Sequence, residues 1–240
     1  MQMEKNLNSP ARVRLTALFD GGSYKEIGSY VMEKAAPAGV VCAYGYINGN
    51  PVYAFAQDQS VECGAVGNAQ AEKIARVYDL ASKTGDPVVG IFDSNGAFMD
   101  GTAASLNAYS LLMNKISSVS GVVPQIAVVA GTCAGSAAMM ACASDFVIMT
   151  EDAELFLTPS FEKGAGSAKA AAANGVAALT AADDTAAITK ARELINLLPV
   201  NNMASTPCME FDAPTAAAGK DLQSAVNGIA DAGSVVELYA

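Results

Sequence analysis

Hydrophobic positions in the first part of the chain follow two different periods. Residues 40–47 and 52–56 are rich in β-branched and aromatic side chains, and the Asn48-Gly49 pair between them is a strong signal for a tight turn. These segments predict a β-hairpin. Over residues 68–83 the apolar side chains recur every three to four positions, which predicts an amphipathic helix.

Short apolar segments alternate with helical patterns in the middle of the chain. Strands are predicted at 88–92, 126–130 and 146–149, and a helix of small residues and methionines at 136–143. The helix after the first of these strands is expected to bury four side chains: Leu106, Tyr109, Met113 and Ile116. Continuous apolar strands that alternate with helices indicate an α/β protein with a largely parallel sheet, covered on both faces.

The last part of the chain is less clearly patterned. The alanine-rich stretch 164–187 fits either a helix or a loop, and the pattern does not decide between them. A helix is predicted over 188–198, ahead of Pro199, and the composition of 201–219 is typical of a linker. A final helix carries three apolar residues: Leu222, Val226 and Ile229.

One short pattern occurs twice. Residues 20–27 and 231–238 both match Asp-x-Gly-Ser-x-x-Glu followed by Ile or Leu, and each copy follows a short amphipathic segment. Each copy is expected to form a helix end, a glycine turn and a short strand. The match indicates an internal repeat, although two ordinary helix ends would produce a similar pattern by coincidence.

The absence of histidine excludes several kinds of active site. The 240 residues include no His, so Ser-His-Asp and Cys-His catalysis, His-ligated zinc and imidazole bases are ruled out. The net charge of −10 argues against a general nucleic-acid surface, which requires a basic footprint. The mean hydropathy of +0.27 is consistent with a sizeable buried core.

The cysteines and the N-terminal region indicate where the protein works. None of the five cysteines forms a Cys-x-x-Cys pair, so we expect no zinc ribbon, no metal and no disulfide framework. We interpret them as reduced thiols of a cytoplasmic protein. The first residues lack the apolar core of a signal peptide, and no apolar stretch reaches the length of a membrane span.

Two loops are the best candidates for chemistry. Residues 93–97 and 131–137 each follow a predicted parallel strand, at the sheet edge where ligands usually bind. Their small side chains let a ligand approach the backbone, and two such loops could aim N–H donors at one developing oxyanion. Tight packing between helix and sheet explains the same small residues equally well.

Other reactive side chains favour structural roles. Asp93 fits a turn or capping carboxylate better than a catalytic acid, and Cys133 lacks a neighbour in sequence that would activate a thiol. The acids at 151, 152 and 154 suggest a solvated turn, because a metal site needs ligands that converge from elsewhere.

The run 88–97 ends in Ser-Asn-Gly-Ala, and residues 131–137 read Gly-Thr-Cys-Ala-Gly-Ser-Ala. These runs resemble the Ser-Gly-Gly-Ala and Gly-Pro-Cys-Ala-Gly-Gly-Ala motifs of the carboxyltransferase family of biotin-dependent acyl-CoA carboxylases and decarboxylases. Further matching segments appear in the same order: 45–53, 55–58, 71–74, 120–126, 145–149 and 197–202. The resemblance is to the N-terminal half of enzymes such as the propionyl-CoA carboxylase β chain.

The resemblance implies a fold and a domain plan. The family has a crotonase-like fold, an α/β spiral of β-β-α units, which we expect here as a single domain. We expect a carboxyltransferase N-terminal-type domain over 1–202, a linker over 203–219, and the start of a second-half-like helix and strand over 220–240.

The resemblance also implies the residues of the site. The backbone N–H groups of Gly135 and Ser136 correspond to the family's catalytic oxyanion donors. The expected substrate-binding residues are Gly96, Ala97, Cys133 and Ala134. The chain departs from the family pattern at Phe98, where the family has arginine, and at 158–160, where the family has Gly-Pro after its threonine.

The implied function is that of a carboxyltransferase subunit. It would bind an acyl-CoA and act with biotin held on a separate carrier protein, with a C-terminal-half carboxyltransferase subunit, and in a homo- or hetero-oligomer. Two alternatives stay open. One is a catalytically inactive scaffold subunit of such a complex, and the other is a crotonase-fold enzyme that acts on CoA thioesters without biotin.

Overall fold

The computed structural model describes residues 8–33, 36–98, 102–207, 210, 212–213 and 221–239. The helices are α1 (Pro10–Leu18), α2 (Asn68–Thr84), α3 (Thr102–Val119), α4 (Ser136–Cys142), α5 (Ala168–Ala173), α6 (Asp184–Leu197) and α7 (Leu222–Asn227). The strands are β1 (Tyr24–Ile27), β2 (Met32–Glu33), β3 (Ala36–Pro37), β4 (Val40–Ile47), β5 (Asn50–Gln57), β6 (Val88–Ser94), β7 (Gln125–Ala134), β8 (Phe146–Thr150), β9 (Glu154–Phe156) and β10 (Leu179–Ala181).

One mixed sheet organises these elements. Its strand order is β1-β4-β5-β6-β7-β8-β10, antiparallel from β1 to β5 and parallel from β5 onwards. Helices α2, α3 and α4 cover one buried cluster of apolar side chains, and α1 and α6 cover the other. The predicted α/β class, with a sheet covered on both faces, is confirmed.

The predicted hairpin and the helix after it are confirmed. Strand β4 has the predicted bounds, whereas β5 begins at Asn50, two residues before the predicted return strand. Asn48 and Gly49 have φ angles of 47° and 81°, the positive values that a type I′ turn requires. Helix α2 ends at Thr84 and is followed by Gly85, which adopts the left-handed conformation typical of a helix C-terminus.

Both predicted loops are shorter than expected, because the strands before them run further. Strand β6 continues through Ser94, and β7 continues through Ala134. The extension has two partners: Ser94 pairs with Cys133 after an irregularity in the register, and residues 132–134 pair with β9. A segment distant in sequence supplies this pairing, so local composition did not reveal it.

The predicted inner face of α3 is partly wrong. Leu106 is 73% exposed, whereas the buried stripe runs through Ala108, Leu112 and Ile116. The other three predicted side chains, Tyr109, Met113 and Ile116, belong to the core cluster or pack against it, so the prediction is wrong only at Leu106.

The undecided stretch 164–187 contains helix α5, strand β10 and the first turn of α6. Helix α7 forms, but Leu222 and Ile229 on its expected apolar face are 88% and 83% exposed. Part of the predicted linker, residues 208, 209, 211 and 214–219, lies outside the described residues.

The two copies of the repeated pattern share their turn but not the strand after it. In both copies the serine N–H donates to the aspartate carbonyl oxygen at 3.1 Å, in the pairs Ser23–Asp20 and Ser234–Asp231. A strand follows only the first copy, so the strand expected after Ser234 is wrong for residues 235–238. Val236 and Leu238 nevertheless pack against the cluster beneath α1 and α6.

A buried ion pair joins the two strands that lead to the predicted loops. The Asp93 carboxylate on β6 accepts a hydrogen bond from Arg14 Nη1 at 2.7 Å, and both side chains are less than one-tenth exposed. Arg14, on α1, also donates from Nη2 to the carbonyl oxygen of Ala130 on β7 at 2.8 Å. Its Nε donates to Asp184, at the start of α6, at 2.7 Å. One guanidinium group therefore fixes β6, β7 and α6 relative to α1.

Glycine and glutamine enclose the same aspartate. A Cβ atom at Gly131 would lie 2.4 Å from Asp93 Oδ1, and one at Gly64 would lie 2.1 Å from the Asp93 carbonyl oxygen. The Asp93 N–H donates to Gln57 Oε1 at 3.2 Å, and Gln57 in turn donates to Gln70 at 3.0 Å. Only glycine fits at 64 and 131 without displacing the aspartate.

Burial and ion pairing have different effects on the pKa values of Asp93 and Arg14. Burial raises the pKa of Asp93 above its usual range, because Arg14 offsets the loss of solvation only in part and Asp184 adds a like charge. Burial alone would lower the pKa of Arg14, but its hydrogen bonds to Asp184 and Asp93 raise it. Arg14 pairs with two carboxylates, those of Asp93 and Asp184, whereas Asp93 pairs with one arginine. Asp93 therefore depends more on the contact between them.

Replacing Arg14 should destabilise the fold in a pH-dependent way. Arg14→Met leaves the Asp93 carboxylate buried without its cation, which typically costs about 3–5 kcal/mol of unfolding free energy. The pKa of Asp93 then rises further in the folded state, so the folded protein binds a proton at higher pH than the unfolded chain. The loss of unfolding free energy caused by Arg14→Met, measured by urea denaturation against the unmodified protein, should therefore shrink as the pH falls from neutral towards 5.

Lys115→Met is the matched control for this experiment. Lys115 pairs with Asp79, whose side chain is 47% exposed, so its loss should cost less than about 1 kcal/mol. Two results would show that Asp93 does not depend on this ion pair. One is that Arg14→Met lowers the unfolding free energy no more than the control does, and the other is that this loss does not change with pH.

Candidate functional site

An open cavity of about 570 Å³ lies at the carboxyl edge of the parallel strands. Residues 95–97 after β6 form one wall, and the end of β7 with Gly135 and Ser136 forms the second. Residues from Glu154 to Pro159 provide the third wall. Both predicted loops therefore border one cavity, as their positions after neighbouring parallel strands suggested.

The wall at residues 95–97 is fixed by backbone hydrogen bonds. Val66 donates to the Gly96 carbonyl oxygen at 2.8 Å, and Phe98 donates to the Val66 carbonyl oxygen at 3.1 Å. Gly96 has a φ angle of 104°, and a Cβ atom there would lie 3.3 Å from the carbonyl oxygen of Ala134. Among the described residues, the N–H of Ala97 donates to no backbone acceptor. This wall thus lies against the end of β7 and leaves one amide unengaged.

The turn from β7 into α4 depends on glycine at position 135. Gly135 has φ 60° and ψ −129°, a combination that side chains do not tolerate. Its N–H donates to the Phe156 carbonyl oxygen at 2.9 Å, which continues the pairing of β7 with β9. That N–H is already occupied, so the structure contradicts the expectation that it is a free donor. The role of Gly135 is to set the geometry of the turn.

Ser136 begins the helix that was predicted over 136–143. It is the first residue of α4, and the N–H groups of the first helical turn have no acceptor within their own helix. Within the described ranges, no backbone carbonyl accepts its N–H. The unengaged amides of Ala97 and Ser136 therefore belong to residues on two walls of the same cavity.

Cys133 and Ala134, although adjacent, have different surroundings. Ala134 lines the cavity as expected. Cys133 is fully buried in the core beneath α3 and α4, and the residues that line the cavity do not include it. Burial raises the pKa of the Cys133 thiol far above its usual value. The structure therefore contradicts the expectation that Cys133 binds substrate, because its side chain points to the opposite side of the strand.

Two groups of residues at this site were not predicted from the sequence. Arg14, Gln57 and Gln70 form the hydrogen-bond network around Asp93, and no local motif in the sequence identifies them. Glu154 and Phe156 line the cavity, although the acids around 154 suggested only a solvated turn. The available signal was the polar Glu154 next to the apolar Leu155, which fits a strand with one face towards the core.

The described ranges contain neither a metal-binding cluster nor a membrane-spanning helix. No group of three or more His, Cys, Asp or Glu side chains converges there in a way that could hold a metal ion. No helix in this part of the chain is both long and apolar enough to cross a membrane.

The sequence is similar to known carboxyltransferases. The profile of the Carboxyl transferase domain family matches residues 5–237. The methylmalonyl-CoA decarboxylase subunit alpha of Propionigenium modestum is 36% identical over 220 residues, which cover 82% of this chain and 43% of that protein. The propionyl-CoA carboxylase beta chain of Saccharopolyspora erythraea is 34% identical over 220 residues, or 82% and 40% of the two chains.

The fold is also similar to that of a solved carboxyltransferase. Transcarboxylase 12S, whose crystal structure was described as a hexamer with methylmalonyl-CoA and methylmalonic acid bound, superposes with a TM-score of 0.80 and 33% identity. The match covers 89% of this chain and 46% of the other. This likeness confirms the crotonase-like fold that the sequence motifs implied.

The chain spans less than half the length of these relatives. The match is nevertheless continuous along most of the chain and includes both walls that carry the unengaged amides. The chain therefore belongs to the carboxyl transferase family, as the motifs at 88–97 and 131–137 had indicated.

Proposed function

We propose that this chain is the acyl-CoA-binding, N-terminal-half part of a carboxyltransferase in a biotin-dependent acyl-CoA carboxylase or decarboxylase. The observation that supports it best is the pair of unengaged amides, Ala97 and Ser136, on two walls of one cavity. The names of the relatives support the same chemistry, because both a decarboxylase subunit and a carboxylase subunit are among them.

The two amides suit a thioester carbonyl. Removing a proton or a carboxyl group from the carbon next to a thioester leaves an enolate, whose negative charge lies largely on the carbonyl oxygen. Backbone N–H groups held at that position stabilise this charge, and they need no reorganisation during the reaction. In our proposal, Ala97 and Ser136 donate to this oxygen, while Gly96 and Gly135 give the backbone the shapes that present the amides.

Neither an imidazole nor a thiolate is available for catalysis at the cavity. The chain contains no histidine, and the buried thiol of Cys133 stays protonated at neutral pH because burial disfavours the thiolate. Biotin on a separate carrier protein would supply or accept the carboxyl group. The described residues of this chain would bind the thioester, orient it and stabilise its enolate.

The proposal includes partners. The relatives are more than twice as long as the part of them that this chain matches. We propose that a C-terminal-half carboxyltransferase subunit completes the active site and receives the biotin carrier, in a larger oligomer. The hexamer described for transcarboxylase 12S supports an oligomeric assembly of this kind.

Acyl-CoA binding should protect specific amides from hydrogen exchange. When saturating propionyl-CoA is added, exchange at Ala97 and Ser136 should slow, because both amides gain an acceptor. Exchange at Gly135 should change little, because its N–H already donates to Phe156. Amide-resolved exchange, measured by NMR with free CoA as the control, tests this. Unchanged exchange at Ala97 and Ser136 would favour the inactive-scaffold alternative.

Deleting one donor should slow the reaction without unfolding the protein. Ser136→Pro removes the N–H at the first helical position, where proline is well tolerated. In the assembled carboxyltransferase, kcat should fall roughly 10²–10³-fold, the usual effect of losing one oxyanion donor.

Ser136→Ala is the matched control for that variant, because it removes the hydroxyl and keeps the N–H. Its kcat should stay within a few-fold of the unmodified protein, and circular dichroism should show both variants folded. Equal losses in the two variants would show that the hydroxyl or the local shape matters, rather than the amide.

Replacing the buried cysteine should leave the chemistry intact. Cys133→Ala removes a thiol that packs in the core and does not line the cavity, so most carboxyl transfer should remain. The measurement is kcat of the assembled enzyme at a temperature where the variant is folded. Complete loss of turnover in a folded Cys133→Ala protein would show that the thiol takes part in the reaction.

A further inference from the structure

A buried glutamine binds the backbone segment that pairs with one wall of the cavity. Gln70 is the third residue of α2 and is 1% exposed. Its Nε2 donates to three carbonyl oxygens, at 3.0 Å to Gly39, 3.2 Å to Ala65 and 3.3 Å to Gly64. One side chain on the helix thus holds two consecutive residues of the loop that precedes it.

Neighbouring groups determine which way the Gln70 amide faces. The Asp93 N–H donates to Gln57 Oε1 at 3.2 Å, so Gln57 offers its Nε2 for a second contact. This Nε2 donates to Gln70 Oε1 at 3.0 Å, which leaves the Nε2 of Gln70 for the backbone carbonyls. A chain of hydrogen bonds that starts on β6 therefore directs the donors of Gln70.

The contact with Ala65 reaches the cavity wall through a single peptide unit. The Ala65 carbonyl group and the Val66 N–H belong to the same planar, trans peptide, so they point in opposite directions. The carbonyl oxygen accepts from Gln70, and the N–H donates to the Gly96 carbonyl oxygen at 2.8 Å. Gln70 thus fixes the plane of the peptide unit that binds the wall.

This pairing gives the Ala97 amide its direction. Val66 and Ala97 form a parallel bridge. Its hydrogen bonds join Val66 to the residues on either side of Ala97, which are Gly96 and Phe98. Successive backbone groups of an extended segment face opposite edges, so the N–H of Ala97 faces away from Val66. Ala97 itself lines the cavity.

We propose that Gln70 is a positioning residue, which holds the peptide unit between Ala65 and Val66 so that the Ala97 N–H meets the carbonyl oxygen of the thioester. This inference rests on the proposed function. Gln70 does not line the cavity, so it acts through the backbone of the paired segments. An apolar side chain of similar length fills the same space without these donors, so positioning can be separated from packing.

Gln70→Met makes that separation. Methionine keeps the length of the side chain but has no N–H donor. Amide-resolved hydrogen exchange is measured by NMR on the full chain, with and without saturating propionyl-CoA. In the variant, the protection that propionyl-CoA gives to Ala97 should be largely lost, whereas the protection of Ser136 should remain. The Val66 amide should exchange faster even without the thioester.

The kinetic result should be a split between binding and turnover. In the assembled carboxyltransferase, kcat of Gln70→Met should fall roughly 10²-fold, the scale of a misplacement of about 1 Å at a reacting group. The dissociation constant of propionyl-CoA should change far less, because an oxyanion donor binds the enolate more tightly than the thioester.

Gln70→Glu is a second variant, which tests the donors by pH. Its carboxylate has no donor, so Ala97 should lose protection at neutral pH as it does in Gln70→Met. The protonated carboxyl regains one O–H donor, and burial among carbonyl groups favours that neutral form. Protection of Ala97 by propionyl-CoA should therefore partly return as the pH is lowered.

Gln125→Met is the matched control. Gln125 is also 1% exposed and donates from Nε2 to the Ile116 carbonyl oxygen at 3.2 Å. It begins β7, at the end of the strand opposite the cavity. This control should keep the protection of Ala97 and most of kcat, and circular dichroism should show that it is folded.

The outcomes separate this inference from the proposed function. Unchanged protection of Ala97 in Gln70→Met, or an equal loss of kcat in Gln125→Met, overturns the inference. Equal loss of protection at Ala97 and Ser136 also overturns it, because Gln70 would then support the whole fold. If Gln70→Met does not fold, the absence of any return at low pH in Gln70→Glu overturns it. If propionyl-CoA protects neither amide in the unmodified chain, the proposed function fails, and this inference fails with it.

Discussion

The carboxylate of Asp93 lies in the interior of the protein, and much of the site depends on how it is held there. Arg14 reaches it from α1 and contacts β7 and α6 with the same guanidinium group. Breaking a buried pair of this kind exposes the remaining charge to an environment that cannot solvate it. Since β6 and β7 end in the two walls of the cavity, Arg14 links the two strands that carry those walls.

Glycine provides the second constraint on the site. Gly64 and Gly131 leave room for Asp93, and Gly135 turns the chain from β7 into α4 with backbone angles that other residues avoid. The same turn uses its own N–H to pair with β9 and leaves the next amide, at Ser136, without a backbone acceptor in the described structure. Our proposal that the site works through backbone amides agrees with a chain that contains no histidine.

Sequence patterns predicted the fold and the cavity well where the signal is local. The Asn48-Gly49 turn, the period of α2 and the small residues after β6 and β7 each determine structure over a few positions. The patterns did not predict the features that depend on contacts between segments distant in sequence. The pairing of β9 with β7 occupies the Gly135 N–H, directs Cys133 into the core and brings Glu154 to the cavity. Arg14 is separated from Asp93 by 79 positions, so no local motif reveals their contact.

We propose that Ala97 and Ser136, on two walls of the cavity, donate to one carbonyl oxygen. A crystal structure of the chain with a non-reactive acyl-CoA analogue that keeps its carbonyl group tests this directly. We expect this oxygen to lie within about 3.2 Å of both the Ala97 and the Ser136 nitrogen, the usual hydrogen-bond range. An ordered analogue whose carbonyl oxygen contacts neither amide would show that the two amides do not bind the thioester.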